Sequence, residues 1–226
     1  MFDVLICCHS TDDRHDRLLA RAMSSLEKQT CQDFRTILVL DECHPETVAR
    51  LNDAPYVEWR DSGRLQVFER PERRGLAAAK NFGLSKCQAD LVAYQDADDA
   101  SLACRLELQL KYLHEHSDID LLFCENWDVY NPLEPDEVWY PNCFPIGKYN
   151  SHEQIAARLS IENVLSHGSL MARRECLMAN GGYSEDERWT GMEDWQKWSD
   201  AIDQGYKFAK YPERLYLWSH GTSVPR

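Results

Sequence analysis

Short apolar runs alternate with stretches of helical periodicity through the first half of the chain. Residues 4–8 form an apolar run of strand length, and within 14–28 Leu18, Leu19, Ala22, Met23 and Leu26 recur at the spacing that lines one helix face. The order then repeats. Residues 36–40 read as a buried strand, 45–51 as a short helix with Pro45 in its first turn, 65–68 as a strand, and the Ala- and Leu-rich 76–87 as a helix. Residues 91–94 predict a further strand, Leu102, Leu106, Leu110 and Leu113 mark a helix face that Ser101 is placed to cap, and 119–124 resumes the sheet. Strands alternating with helices predict an α/β architecture with a mostly parallel sheet covered on both faces. Such sheets bind ligands at the carboxyl ends of their strands.

The pattern breaks over 126–150, where Pro132, Pro135, Pro141 and Pro145 are interleaved with Trp127, Trp139 and Tyr140; this reads as a long excursion over one edge. Regular structure is expected again as a helix over 153–159, a strand over 169–172, a helix ending at Gly181-Gly182 and a helix over 192–202. No internal repeat or low-complexity linker divides the 226 residues, so they read as one domain.

Charge narrows the partners. Thirty-eight Asp plus Glu against 25 Lys plus Arg give a formal charge of −13, which opposes a polyphosphate surface, and nucleic acid is not expected. No stretch reaches the roughly 18 apolar residues of a membrane span, and the start lacks the basic region of a signal peptide; a cytoplasmic location is expected, or one peripheral to a membrane. Nine scattered cysteines (Cys7, Cys8, Cys31, Cys43, Cys87, Cys104, Cys124, Cys143 and Cys176) with no CxxC pair fit small buried thiols in a reducing compartment.

The densest chemical signal is Gln95-Asp96-Ala97-Asp98-Asp99, three carboxylates in four residues directly after a strand. Like charges so close repel unless a cation or backbone donors stabilise them. Two readings fit: a site for a hard divalent ion such as Mn²⁺ or Mg²⁺ bridging substrate phosphates, or an acidic turn in which Asp99 and Ser101 cap the next helix.

Several stretches in fixed order resemble the GT-A fold glycosyltransferases, specifically inverting family 2. Ser25-Leu26-Glu27-Lys28-Gln29-Thr30 with Asp33-Phe34 is similar to the family's S-x-x-x-Q-T-x-x-D-F stretch, and Asp41-Glu42 stands where the family has an acidic pair. Gly75 to Gly83 resembles its G-x-x-x-A-R-N-x-G helix, with Lys80 at the Arg position, and Asp96-Ala97-Asp98-Asp99 stands at D-x-D-D. Gly181-Gly182-Tyr183, Glu193-Asp194-Trp195 and Tyr216 to His220 resemble the G-G-F/Y, E-D-W and Y-x-Y-R-x-H elements. The resemblance spans nearly the whole chain. It implies a Rossmann-like GT-A fold, with a nucleotide-sugar half over 1–100 and an acceptor half over 101–226, and transfer of a hexosyl group from a nucleoside diphosphate donor.

It also implies roles. Asp41 would accept the imide N–H of a uracil-type base, pointing to a UDP-sugar, and otherwise reads as a turn or helix cap before Pro45. His9, where many relatives carry Tyr, would stack on the base. Lys80, with Arg73 and Arg74, forms a basic group for the diphosphate, Lys80 lacking the planar fork of Arg. Asp96 would contact the ribose, Asp98 the metal, and His220 the metal or diphosphate, while Asp99 reads as a cap or an acceptor-side residue. Asp194 would be the general base, with Glu193 orienting it; the alternative is that both complement the helix dipole. Trp189 and Thr190 offer a resting face for a sugar ring or pack the core, and Trp139 and Tyr140 are candidates for an acceptor-side lid.

Three rivals fit less well. A haloacid-dehalogenase-like phosphoryl transferase places its D-x-D on the first strand, here followed by His9-Ser10. A nucleotidylyltransferase needs an early Gly-rich loop. A silent binding protein of the same fold has no need of Asp98, Asp194 and His220 together.

Overall fold

A computed structural model describes residues 1–70, 72–142 and 146–222; Cys143 and Pro145 lie outside the described residues. The other eight cysteines are free thiols.

The first strand, β1 (Phe2–Cys8), is apolar on both faces because helices cover both. Val4 and Ile6 pack with Leu19, Met23 and Leu26 of α1 (Asp13–Glu27), which Asp12 caps by accepting from His15 N at 3.0 Å. β2 (Phe34–Asp41) leads through α2 (Pro45–Arg50) and α3 (Tyr56–Asp61) to β3 (Leu65–Arg70). α4 (Leu76–Lys86) then crosses to the face that carries Leu5, so closely that a Cβ on Gly83 would lie 2.4 Å from Leu5 Cδ1. β4 (Leu91–Tyr94) ends at the acidic turn, followed by β5 (Ala100–Ser101), α5 (Arg105–Glu115) and the long β6 (Leu121–Tyr130). β7 (Val138–Pro141), α6 (His152–Leu159), β8 (Met171–Arg173), α7 (Arg174–Met178), α8 (Glu193–Asp203) and β9 (Phe208–Ser219) complete the order.

The sheet runs β3-β2-β1-β4-β8-β6-β9-β5, with β7 added to β6. Pairing is parallel from β3 to β4 and again between β6 and β9, while β8 runs antiparallel to both its neighbours. One core lies beneath α1, α3 and α5; the other gathers α4, α6, α7 and α8 around Phe123 and Trp198.

Three expectations change. The helix placed over 102–113 begins at Arg105, and Ser101 is not its cap: Ser101 pairs with β9, while Gln29 Oε1 accepts from Leu106 N at 3.0 Å and satisfies the first turn. The excursion over 126–150 starts as a continuation of β6 to Tyr130 and returns as β7, with Asp128 opposite Tyr140 and Val129 opposite Trp139. β9, a 12-residue strand, was not anticipated, because Pro212 and a charged pair interrupt its alternation. The register absorbs them in a bulge: Cys124 pairs with Tyr211 but Glu125 with Arg214.

Candidate functional site

The carboxyl ends of β1, β2 and β4 open into a cleft of about 550 Å³ lined by His9, Asp41, Arg73, Lys80, Asp96, Asp98, Glu193 and Asp194. All eight were expected from the sequence and are drawn from positions up to 185 residues apart. His220, also expected, is not among the residues that line the cleft.

Asp41 ends β2, 4% exposed, and its Oδ1 lies 3.0 Å from Arg70 Nη1 across the β2–β3 pair. Burial pushes its carboxyl above the ordinary range in spite of Arg70, His9 and Arg73. It does not cap α2; His44 does, accepting from Glu46 N. His9 Nδ1 lies 2.8 Å from the Asp41 carbonyl, which fixes the imidazole at the mouth of the cleft. Lys80 is buried on α4, with Nζ 5.1 Å from the Tyr183 ring centroid. Arg73 and Arg74 both line the cleft, Arg74 largely exposed beside Glu185 at 3.9 Å. Asn81 joins the two walls: it donates to the Tyr183 carbonyl at 2.9 Å and accepts from Tyr183 N at 2.7 Å.

The acidic turn rests on a buried cation. Arg105, fully buried on α5, donates to the carbonyls of Tyr94 (2.7 Å) and Leu170 (3.3 Å), to Ser101 Oγ (2.8 Å) and to Gln109 Oε1 (3.0 Å). Its donors are therefore used in shaping the backbone beneath the turn, while its charge interacts with those of Asp96 and Asp99. Burial pushes Asp96 upward, but His167, Lys80 and Arg105 outweigh it and hold the carboxyl below its usual range. Asp98 is raised by burial and by the charge of Asp96; Asp99 is raised further by burial, Asp98 and Asp96. Asp99 Oδ1 accepts from Ser219 N at 2.7 Å, so it does not cap α5 but ties β9 to the turn. Asp98 Oδ2 accepts from Thr222 Oγ1 at 2.6 Å.

Crowded hard oxygens suit a divalent cation. Among the described residues no three His, Cys, Asp or Glu side chains are grouped to hold one, so an ion held through Asp98 would need its further ligands from a substrate diphosphate and water.

On the opposite wall Asp194 opens α8, its Oδ2 accepting from Asn163 Nδ2 at 2.9 Å and its Oδ1 from Trp195 N at 2.8 Å. Glu193 Oε2 accepts from Gly191 N at 2.6 Å and pins the turn that carries Trp189 and Thr190 to the cleft. Trp198 is fully buried, and Trp195 Nε1 donates to the Leu159 carbonyl at 2.7 Å, so the helix is anchored on both indoles.

A second cavity of about 430 Å³ adjoins the first. Asp96, Asp99, His167, Asp194 and Trp218 line both, and Glu125, Asn126, Asn163 and Lys210 continue the second inward. His167 was not singled out by sequence reasoning. Its Nε2 lies 2.9 Å from the Tyr183 hydroxyl and its Nδ1 3.7 Å from Asp96 Oδ1, and burial with the charge of Lys80 depresses its proton affinity. Gly168 beside it is obligatory, because a Cβ there would fall 1.9 Å from the Tyr216 hydroxyl and 2.5 Å from Asp96 Oδ2. Arg70, Asn163 and Thr222 were also missed. Each is a single polar residue with no local pattern around it.

His220 is turned away from the acidic turn. Its ring stacks on Tyr130 at 4.4 Å and its Nε2 lies 3.5 Å from Asp128 Oδ1. Trp139 and Tyr140, adjacent in β7, face opposite sides of the sheet, Trp139 toward Trp127 and Tyr140 toward Tyr130.

Comparison with known proteins places this arrangement. The chain is 27% identical over 206 residues to an uncharacterized glycosyltransferase of Methanocaldococcus jannaschii, a match covering 88% of this chain and 64% of the relative. It is 25% identical over 204 residues to the UDP-Gal:alpha-D-GlcNAc-diphosphoundecaprenol beta-1,3-galactosyltransferase of Escherichia coli, covering 90% of this chain and 68% of that protein. Among solved structures, S. aureus TarS in complex with UDP superposes with a TM-score of 0.72 at 17% identity, over 97% of this chain and 60% of that one. The mannosyltransferase PcManGT from Pyrobaculum calidifontis, in complex with GDP-Man and Mn²⁺, does so with a TM-score of 0.69 at 18% identity, over 95% and 56%. The chain thus spans about two thirds of the relatives' length, and its fold is the GT-A fold implied by the motifs. A family model described as glycosyl transferase family 2 matches residues 3–179, with the cleft's strand ends and the acidic turn inside the matched span, and the chain belongs to that family.

Proposed function

We propose that the protein is an inverting glycosyltransferase that moves a hexosyl group from a UDP-sugar to an acceptor hydroxyl, using a divalent metal at Asp98 and Asp194 as general base. The observation that carries this reading is the shared wall: Asp194 and Asp96 line two adjoining cavities, one that also holds Asp41, Arg73, Lys80 and Asp98 and one that holds Asn126, Asn142 and Asn163. A base that lines both can take a proton from an acceptor in one as its oxygen attacks a donor carbon in the other.

In this reading residues 1–100 supply most of the donor site. Asp41 accepts from the base, His9 stacks on it, Arg73 and Lys80 face the diphosphate, and Asp96 holds the ribose. Mn²⁺ or Mg²⁺ held through Asp98 would neutralise charge on the departing nucleoside diphosphate. Asp194 is directed by Asn163, which occupies one lone pair of Oδ2 and leaves the carboxylate its second. The proton passes from the acceptor hydroxyl to Asp194, the new glycosidic bond forms on the face opposite the leaving group, and the bond to the diphosphate breaks. His220, stacked on Tyr130, is left out of the metal site, and Thr222 takes the place beside Asp98.

Support for a nucleotide-sugar donor comes from the neighbours: TarS was solved with UDP and with UDP-GlcNAc, PcManGT with GDP-Man and Mn²⁺, and the E. coli relative is named for UDP-Gal. The test is consumption of a panel of UDP- and GDP-sugars with Mn²⁺, alongside UDP binding with and without EDTA. Metal-dependent UDP binding and turnover of one donor are expected. A protein that neither binds UDP in a metal-dependent way nor consumes any donor would sink the proposal.

A further inference from the structure

The second cavity is not closed at its outer end. Asn126, Asp128 and Tyr130 alternate along β6 and so share one face of the sheet. Across the ladder, Asn126 stands opposite Tyr216, and Asp128 opposite both Trp218 on β9 and Tyr140 on β7. One face therefore runs from the cavity outward for about 13 Å, the rise of four strand residues, which exceeds the span of a single sugar ring.

That face is unusual in composition for a solvent-facing sheet. Tyr130, Tyr140 and Trp218 are 42%, 56% and 43% exposed, and ring contacts link Tyr140 to Tyr130 (5.9 Å), Tyr130 to His220 (4.4 Å) and His220 to Trp218 (4.6 Å). Trp218 belongs to both cavities, so the row of rings starts at the site itself. Between the rings lie hydrogen-bonding groups held in place: Asp128 Oδ1 accepts from Asn126 Nδ2 and Asn142 Nδ2, each at 3.1 Å. At the inner end Glu125, 2% exposed and lining the cavity, has Oε2 3.3 Å from Lys210 Nζ, while its Oε1 is buried with no hydrogen-bond partner. A buried carboxylate oxygen without a donor is costly unless a ligand or water hydroxyl supplies one.

Flat apolar faces interleaved with fixed carboxamides and carboxylates match a neutral carbohydrate, whose rings present C–H patches and hydroxyl edges in alternation. The charge around the face disfavours the other occupant of an exposed aromatic row, an anionic bilayer. The turn joining β6 to β7 carries Glu134, Asp136 and Glu137 against Arg17 and Arg21, which reach it from α1, Arg17 donating to the Leu133 carbonyl at 3.2 Å and Arg21 pairing with Glu137 at 3.5 Å, so it keeps a net negative charge.

We infer that the second cavity and this sheet face form one acceptor tract that holds a neutral glycan of at least two sugar residues, its terminal residue near Asp194 and Glu125 and its preceding residues on Trp218, Tyr140 and Tyr130. The inference rests on the transferase reading for the direction of the chain, but not for the existence of the binding face.

The test is an array of neutral oligosaccharides one to six residues long, followed by tryptophan-fluorescence titration of the best series against the intact protein, Tyr140→Ala and Tyr130→Ala, with thermal melting to check that each variant is folded. Affinity is expected to rise from mono- to tetrasaccharide and to fall about 3- to 10-fold in each variant for the longer ligands only. Absence of glycan binding, affinity independent of chain length, or variants indistinguishable from the parent would each overturn the tract. So would binding to phosphatidylglycerol vesicles, lost in Tyr140→Ala, in place of glycan binding. Donor consumption by the parent protein separates the two claims: turnover without glycan binding rejects the tract and keeps the transferase, and glycan binding without turnover of any donor does the reverse.

Discussion

The cleft has one wall built from strand ends and one built from loops, and the two are held by different forces. On the strand wall, Asp41, Asp96 and Asp98 follow β2 and β4, whose backbones are paired on both sides, and Arg105 secures the carbonyls beneath the turn. On the loop wall, residues 182–194 belong to no sheet, and their position depends on a handful of side chains: Asn81 on Tyr183, Glu193 on Gly191 and Asn163 on Asp194. A main-chain ladder distributes its constraint over many bonds, whereas a loop fixed by three side chains loses its geometry when one is removed.

The comparison can be broken most decisively at Arg105. Arg105→Met is expected to destabilise the protein by about 3–5 kcal/mol, because it removes the side-chain donor from the buried Tyr94 carbonyl, leaves Gln109 and Ser101 without their charged partner, and removes the cation beneath three carboxylates; urea unfolding would measure it. A loss under 1 kcal/mol would mean that the strand wall holds itself. Next in size are the chemical substitutions. Asp194→Asn should reduce transfer by about 10²- to 10⁴-fold with UDP affinity unchanged, a split visible in parallel kinetics and calorimetry. Asp98→Ala should cost about 10²- to 10³-fold in transfer together with the metal dependence of UDP binding, so full metal-dependent binding in that variant would reject its ligand role.

Smaller effects probe the loop wall alone. Gly182 has φ 91° and a Cβ there would meet Asn81 Oδ1 at 2.3 Å, so Gly182→Ala should cost about 1–3 kcal/mol and loosen residues 183–186, read by hydrogen exchange. Asn163→Leu, which leaves Asp194 without its side-chain donor, should lower kcat about 10-fold while leaving the melting temperature within a few degrees. An equal loss of stability in Asn163→Leu would make that residue a packing element and not a positioning one.

Much of the strand wall was legible because its signals are contiguous. The apolar runs of β1, β2 and β4, the Gly75 to Gly83 helix and the acidic turn each declare themselves within ten or so residues. The Glu193-Asp194-Trp195 helix was legible for the same reason, its Trp195 and Trp198 marking the anchored side. β9 was not. Its alternation is interrupted at Pro212, and only pairing with β6 shows that the interruption is a bulge, next to the point where Glu125 and Lys210 line the second cavity. Ser101 offered a correct local cap signal that lost to a tertiary competitor, since Gln29 reaches the same helix start from 77 residues away.

Residue type and order along the chain by themselves determined the α/β layering, the family, and the carboxylates that define the cleft. The three-dimensional fold decided which distant side chains those carboxylates meet. Near the C-terminus the alternation of β9 sends Trp218 and His220 to one face, His220 onto Tyr130, and the turn after Ser219 brings Thr222 back to Asp98 across 124 positions of sequence. A local pattern records what a residue needs from its near neighbours, but a contact of that separation is set by sheet register and by the direction of a turn, and these exist only once the chain is folded.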